Sequence, residues 1–479
     1  MKRILLILIA LAVLLSACQD GPVQPAPAEP DYTYAGAQEL PPNDVPEPQD
    51  SITAAGFPRI VEVIPPRYYR VEVFHEGFAA VSIGRWYDPD VMRGFVDSEG
   101  NEVVPPIYNE VQRFSEGFAA VRTGRLWGFI DTEGNEVVPP RYDRVEPFSE
   151  GFAAVVVDEK WGFIDTAGNE IVPPRYDWVL SFSEGFAVVA TGDWFVDNWA
   201  WGFIDTTGNE VVPLIYDWVL SFSEGLAAVR IGGAGWGFID TDGNEVVPLI
   251  YDEVRNFSEG FAAVRTGDLW GFVDTAGNEV VPPRFNYVRR FFNGVVAVGV
   301  GREPYTRWGF IDTAGNEIVP LRYYRVGSFS EVPVRVRIGD EPDIRWSLID
   351  TTGTEIVPPY YEIRSFSEGL AIVGIGNHPD RVLGFVDVTG YEVVPPRYDI
   401  VLPFTNGLAV VGTGSRDTGR RLSLIDTAGN QVWPSAYDDE SEFIVSSLIW
   451  GEFYRGEVFA NGLFAFERDG RWGFARVVQ

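Results

Sequence analysis

Cysteine, histidine and lysine are nearly missing from this chain of 479 residues. There is one cysteine, Cys18, two histidines, His75 and His378, and only Lys2 and Lys160 among the lysines. A disulfide within the chain is therefore excluded, and a Cys/His zinc centre cannot be assembled. The other basic residues are arginines spread among acids, and the formal net charge is −32. Such a surface repels nucleic acid and anionic lipid headgroups, so no nucleic-acid partner is expected. The sequence contains no G-x-S-x-G, no Walker loop and no H-E-x-x-H, which removes the commonest nucleophile, phosphate-loop and metalloprotease signatures. No cofactor and no metal is expected. The N-terminal apolar run, Ile4 to Leu15, is too short to span a bilayer as a structural helix.

Lys2 and Arg3 precede that run, and Leu15-Ser16-Ala17-Cys18 follows it. The order charged, apolar, small is that of a signal segment. The tetrapeptide LSAC resembles the lipobox of bacterial lipoproteins. The resemblance implies cleavage before Cys18, lipidation of its sulfur and a membrane anchor there, and a thiol so used is lost to Cys–His catalysis. Gln19 after the cysteine implies sorting to the outer membrane in a diderm bacterium. Residues 19–56 are rich in proline, alanine and acids and lack apolar periodicity. They read as a disordered tether with a reach of about 100 Å at roughly 3 Å per residue. The expected organisation is a signal and lipobox at 1–18, a tether at 19–56 and a folded body at 57–479.

The body is a repeat. The stretch 161–177, WGFIDTAGNEIVPPRYD, recurs in close copies, and DTAGNE stands unchanged at 165–170, 274–279 and 312–317. The aspartate ending each copy of GFID or its variants falls at Asp97, Asp131, Asp165, Asp205, Asp240, Asp274, Asp312, Asp350, Asp387 and Asp426. Their separations run from 34 to 40 residues, a period that marks a repeat architecture. WGFID and EIVP suit strands, and Asp165-Thr166-Ala167-Gly168 fits a type I turn with a glycine bulge. Pro173 and Pro174 each lack a donor, so the fourth strand must end there or lie at an edge. Residues 174–212 predict four strands: Tyr176–Phe182, Phe186–Ala190, Trp201–Asp205 and Glu210–Val212. Ser-Glu-Gly, replaced by Asn-Gly at 293–294, 406–407 and 461–462, reads as a tight hairpin between the first two. Helix is nearly absent; the longest run free of glycine and proline after residue 56 is 435–450, an insertion in the last repeat. FAAV and EVVP are apolar on both faces, so each unit needs a neighbour above and below it.

These residues resemble the bacterial WG-repeat (KWG-type) proteins, whose units pair a WGFID-like strand with a VIPPxYD-like segment and an FSEGLA-like turn. The likeness covers about residues 60–479, some eleven units. It implies an architecture and no established chemistry. The expected fold is all-β: a tandem array of about eleven four-stranded hairpin-pair units, open and curved. The alternative is a closed, propeller-like ring, because the body starts with a fourth-type strand, Val61–Ile64, and stops with a third-type strand, Trp472–Val477. Against the ring, propellers usually have 4–8 blades.

The repeated Asp of DTxGNE and Glu of SEG read as turn caps, since a catalytic pair needs to be singular. The repeated tryptophan reads as core. The positions that vary carry more information. The shorter length changes fall between the second and third strands, which places them on one face of an array. Those loops carry Trp86, Tyr87, Trp194, Phe195, Trp199, Tyr305, His378 and Arg420. Trp178 and Trp218 stand where other repeats have Arg144, Glu253 or Arg325, and so should face solvent unless they pack on neighbouring side chains. Together these are the candidate ligand-binding residues. Trp194, Phe195 and Trp199 either contact a partner or fold back over the edge between repeats. The expected role is non-enzymatic binding or scaffolding in the envelope, with a protein or a glycan as partner; the alternative is a glycan-binding or glycan-hydrolysing protein using aromatics and carboxylates.

Overall fold

The computed structural model describes residues 59–72, 74–84, 91–193, 198–327, 333–339, 343–376, 380–404, 407–414, 421–433, 459–460, 463–468 and 471–478. Among them there is no helix. The predicted insertion at 435–450 lies outside these residues.

The strands form eleven antiparallel sheets, ten of four strands and one of three. In chain order, sheets 1 to 10 occupy residues 70–108, 110–142, 144–176, 178–216, 218–251, 253–285, 287–323, 325–349, 362–398 and 400–433. Each is a meander with sequential strands hydrogen-bonded in order, and none is rolled into a barrel. Sheet 4 is representative: Trp178–Val179, Phe186–Thr191, Ala200–Asp205 and Glu210–Tyr216. Two sequence expectations change here. The first strand is two residues long, because Tyr176 belongs to the preceding sheet, where it pairs with Trp161, and beyond Val179 the ladder gives way to the separate Ser183–Phe186 bridge. The fourth strand passes through its proline and ends four residues later than predicted. It can do so because it is the sheet's edge, and a bulge absorbs the proline: Phe203 pairs with Val212, and Trp201 next pairs with Tyr216.

The turns form as their sequences dictate. Gly168 N–H donates to the Asp165 carbonyl (3.0 Å), and Gly168 takes a φ of 79°. At the hairpins Glu184 and Gly185 both have positive φ, 54° and 81°, which is the type I′ geometry that matches strand twist.

The core lies between sheets. Val188, Trp201, Phe203 and Val212 of sheet 4 pack on Phe222, Ala227, Val229 and Ile239 of sheet 5, and equivalent clusters recur along the array. The alanine pairs of sheets 2, 3 and 5 are buried, which lets adjacent layers approach. The glycine of WG is set by the fourth strand: a Cβ on Gly162 would stand 2.7 Å from the Pro174 nitrogen. Sheet 8 has Ser347 at that position. Its hydroxyl donates to the Val357 carbonyl (3.0 Å), and the fourth strand is reduced to two isolated bridges, Trp346 with Tyr360 and Ile349 with Glu355.

Sheet 11 joins the ends. Arg59–Tyr68 pairs with Arg471–Val478, from Arg59 opposite Val478 to Tyr68 opposite Trp472. Tyr68 opposite Trp472 repeats the Trp201–Tyr216 register of the interior sheets. Arg471 also stacks on Tyr69 of the next unit at 3.8 Å, as Arg307 does on Tyr324 (3.8 Å) and Arg345 on Tyr361 (3.5 Å). The first and last described strands of the array thus pair in the register of the interior sheets.

Candidate functional site

The repeated acids are occupied. Asp165 accepts from the backbone N–H of Ala167 and Asn169 and from the Asn169 amide (2.8–3.0 Å). The Asn169 side-chain bond holds this carboxyl below the usual aspartate range, with burial opposing it and the backbone bonds adding to it. Asp274 and Asp312 repeat the arrangement. The SEG glutamates cap a turn, but the next unit's turn and not their own. Glu150 accepts from the N–H groups of Glu184 and Gly185 (2.7 and 2.8 Å), Glu184 from those of Glu224 and Gly225, and Glu259 from those of Asn293 and Gly294. This explains why a residue with a Cβ occupies the left-handed hairpin position: its carboxylate ties one hairpin to the next.

A second recurring device closes the loops between the second and third strands. Asp177 accepts from Gly192 N–H, Asp252 from Gly267 and Asn286 from Gly301. Where tyrosine replaces this Asx, at Tyr69, Tyr324 and Tyr361, an arginine from the preceding sheet covers the ring.

Individuality is concentrated on one cross-sheet row. In sheet 5 it runs Trp218, Arg230, Trp236, Tyr251; in sheet 4, Trp178, Ala190, Trp201, Tyr216. Trp178 and Trp218 are each 40% exposed, as is Leu180. Trp218 nonetheless leans on a neighbour: its ring lies 5.0 Å from that of buried Trp201. Trp199 stacks on the same indole at 5.7 Å and is partly buried against the core, so this loop aromatic turns inward. Tyr305 is 75% exposed on its loop. Trp86, Tyr87, Trp194, Phe195, His378 and Arg420 lie outside the described residues, as does Cys18. Of the predicted set, the structure brings Trp199 and Trp218 together on Trp201 and leaves Tyr305 apart.

Sequence reading passed over the arginines of sheets 6 to 8. Arg255 covers Trp270 at 4.7 Å and donates to the Val288 carbonyl of the next sheet (2.7 Å). Arg289 covers Trp308 at 5.6 Å and donates to Val326 (3.1 Å). Sheet 8 has Gly327 at this place, and Arg335 from the adjacent strand makes the equivalent contacts, with Trp346 (4.8 Å) and the Ile363 carbonyl (2.7 Å). Burial lowers the Arg255 pKa, with nearby Arg290 adding to it and Glu253 opposing; burial and Arg325 lower that of Arg289. The signal was present in the sequence as the Arg289–Arg290 doublet in so acidic a chain. Among the described residues no cluster of His, Cys, Asp or Glu is arranged to hold a metal ion.

Several solved structures are similar to parts of this chain. The tricorn protease is 12% identical, with a TM-score of 0.22, over 73% of this chain and 44% of that one. BamB from Moraxella catarrhalis is 10% identical, with a TM-score of 0.27, over 62% and 97%. Hsv2 from Kluyvelomyces marxianus is 13% identical, with a TM-score of 0.25, over 54% and 91%. The chain spans less than half the length of the tricorn protease chain. At these scores none of them bears on activity. No curated protein matches the sequence. The model of the WG containing repeat matches residues 61–85, 94–127, 127–161, 161–193, 201–233, 236–270, 270–301, 308–331, 346–377 and 384–415. With the WG glycine, its proline-bearing edge strand and the SEG hairpin each given a structural reason, this chain belongs to the WG-repeat family.

Proposed function

We propose that this protein is an envelope lipoprotein, anchored at Cys18, whose repeat body is a non-enzymatic binding and scaffold module. The observation that carries the reading is the division of labour within each unit. The recurring aspartates of the DTxGNE turns and glutamates of the hairpins are spent on turns and on ties between units. The variable row presents large aromatic area instead, at Trp178 and Trp218 on adjacent sheets. Rings of this size bury area with little loss of rotamer entropy, and adjacent units multiply weak contacts. Acid-rich surroundings favour a neutral or cationic partner, either a protein pocket or the faces of sugar rings.

Two measurements test this. Cys18→Ser should release the protein from membranes or stall its processing; normal maturation and membrane fractionation of the variant would refute the anchor. Trp178→Ser with Trp218→Ser should abolish capture of a specific envelope component per folded molecule, with a modest fall in melting temperature from the lost Trp218–Trp201 contact. Retained capture by the folded variant would refute the recognition row. Binding of neutral oligosaccharides to the wild type, lost in the same variant, would identify the partner as a glycan.

A further inference from the structure

The proline-bearing edge strand ends on a tyrosine, and the residue before it divides the units. Arginine stands there at Arg67, Arg141, Arg175 and Arg322. Each guanidinium covers the ring of the tyrosine that follows it, at 4.9 Å. Arg175 also donates to the Tyr176 hydroxyl (2.8 Å) and faces Glu210 of the next unit (3.8 Å). Arg322 does the same with Tyr323 (2.7 Å) and Glu355 (3.9 Å). Arg141 reaches the Tyr142 hydroxyl (2.7 Å) and the turn carbonyl of Gly168 (2.9 Å). A ring face, a hydroxyl, a carbonyl and a carboxylate thus form a socket for one guanidinium.

In sheets 1, 4 and 5 the arginine is replaced by Ile107, Ile215 and Ile250, which are 58%, 54% and 66% exposed. In sheets 4 and 5, which are neighbours, the rest of the socket is kept. Tyr216 pairs with Trp201 and Tyr251 with Trp236 in the common register. The turn glycines Gly243 and Gly277 lie beside Val212 and Val247, as Gly168 lies beside Val138. Glu245 and Glu279 are exposed and make no hydrogen bond or ion pair among the described residues. Burial and then the charge of Glu245 push the Tyr216 phenol up, and burial and Glu279 do so for Tyr251; each carboxylate therefore acts on its tyrosine with no cation to offset it. The rings register the difference. Tyr108, Tyr216 and Tyr251 are each 8% exposed, against 2% or less for Tyr68, Tyr142, Tyr176 and Tyr323 beneath their arginines.

We propose that sheets 4 and 5 bind an extended, arginine-bearing segment of a partner protein, whose guanidiniums take the two adjacent sockets at Tyr216–Glu245 and Tyr251–Glu279. The chain fills the same socket in other units with arginine and never with lysine. The chemistry gives the reason: a planar guanidinium can stack on a ring and still donate to several acceptors, which an ammonium cannot do. Exposed Ile215 and Ile250 offer apolar surface to the aliphatic stems of the incoming side chains. The net charge of −32 draws a cationic segment toward the body, and two linked sockets add their weak contacts. Residues 19–58 contain no arginine or lysine, so that stretch of the chain cannot supply the guanidiniums itself. The site does not depend on Trp178 or Trp218, which stand on the first strand, at the opposite edge of each sheet.

The test is fluorescence anisotropy of a dye-labelled hexa-arginine peptide with the full-length protein, with labelled hexalysine measured alongside. Saturable binding of hexa-arginine, tighter than that of hexalysine, is expected. Ile215→Arg with Ile250→Arg gives the chain its own arginines; it should weaken binding about 10-fold or more at an unchanged or higher melting temperature. Leu126→Arg with Ile375→Arg makes the same change of charge at exposed sites in sheets 2 and 9, and should leave binding within about 2-fold of wild type. Glu245→Gln with Glu279→Gln removes the carboxylates without breaking a described bond, and should also weaken binding about 10-fold or more. Four outcomes would overturn the proposal: no saturable binding by the wild type, equal binding of hexalysine, equal losses in the two arginine pairs, or wild-type binding by either socket variant. Trp178→Ser with Trp218→Ser should retain the peptide; its loss there would place the peptide on the tryptophan row and overturn the proposal as well.

Discussion

Sheets 4 and 5 and sheets 6 to 8 are built on one backbone and dressed differently. Both groups keep the third-strand tryptophan, the two-residue first strand and the same pairing register. In the first group the first strand and its continuation carry Trp178, Leu180, Trp218 and Leu220. In the second, the equivalent continuation carries Arg255 and Arg289, with Arg335 standing in where sheet 8 has Gly327. The frame tolerates either choice because these side chains stand at the rim of each sheet, where Trp178, Leu180 and Trp218 are exposed and Arg255 and Arg289 reach across to a carbonyl of the next sheet. A repeat of this kind separates what holds the unit from what the unit displays, and the difference between the two groups lies almost wholly in the display.

That separation can be broken at the frame first. Gly202→Ser in sheet 4 and Gly271→Ser in sheet 6 should have the same large effect, about 1–3 kcal/mol of destabilisation from overpacking against the fourth strand. Hydrogen exchange should show the amides of 210–216 or 279–285 losing protection, as the reduced pairing beside Ser347 implies. A harmless substitution in one group and not the other would mean that the frame is not shared.

The display should then distinguish the groups. Arg289→Ala removes a stacked cation and a hydrogen bond to the next sheet, and is expected to cost about 1–2 kcal/mol in urea unfolding. Leu180→Ala, at an exposed site, should stay within about 0.5 kcal/mol. Equal losses would argue against the inter-sheet role of the arginines. The hairpin ties should show no such contrast: Glu184→Gln and Glu259→Gln should each lose about 1 kcal/mol, because each carboxylate accepts two N–H groups and an amide oxygen replaces only part of that.

The smallest effect concerns alkaline pH. Burial, with the charge of Glu279, pushes the Tyr251 phenol up. A folded-state pKa above the unfolded value of about 10 stabilises the fold fully below that pH, and the contribution is lost as pH rises through the folded pKa. Tyr251→Phe should therefore flatten the alkaline fall in melting temperature. Sheet 6 already carries Phe285 at this place and needs no such change. An unaltered alkaline profile in the variant would show that Tyr251 does not contribute.

The local rules were legible because they are local. Asp165 to Gly168 fixed a turn, and Asn293-Gly294 pointed to the hairpins. The repeat period exposed both. The edge position of the proline-bearing strand was legible, but its end was set too early, because an edge strand needs no donor on its outer side and can run on past Pro213. Its true extent depends on Gly162 yielding space in the neighbouring strand, a contact that strand propensities do not contain. Trp178 and Trp218 were identifiable from substitution at a repeat position, and both are indeed exposed. The inter-sheet arginine contacts were not, because Arg255 and the Val288 carbonyl lie 33 residues apart and come together only when sheets stack. The tie from Glu150 to the hairpin at Glu184 was hidden for the same reason.

The pairing of Arg59–Tyr68 with Arg471–Val478 has a consequence for how the chain is made. The two strands are separated by more than 400 residues, whereas the strand pairs of an interior sheet such as sheet 4 are neighbours in sequence. As the polypeptide emerges N-terminus first, the interior sheets can form and stack in succession while the opening strand waits with its backbone groups unpaired. Among the described residues this seam joins the strands most distant in sequence, and pairing of that kind is slow because the loop must close before the contact forms. Until the last residues arrive, the seam is an open strand edge and an invitation to pair with another chain. A truncation that removes only 471–478 would leave ten sheets intact and turn a transient hazard of synthesis into a permanent one.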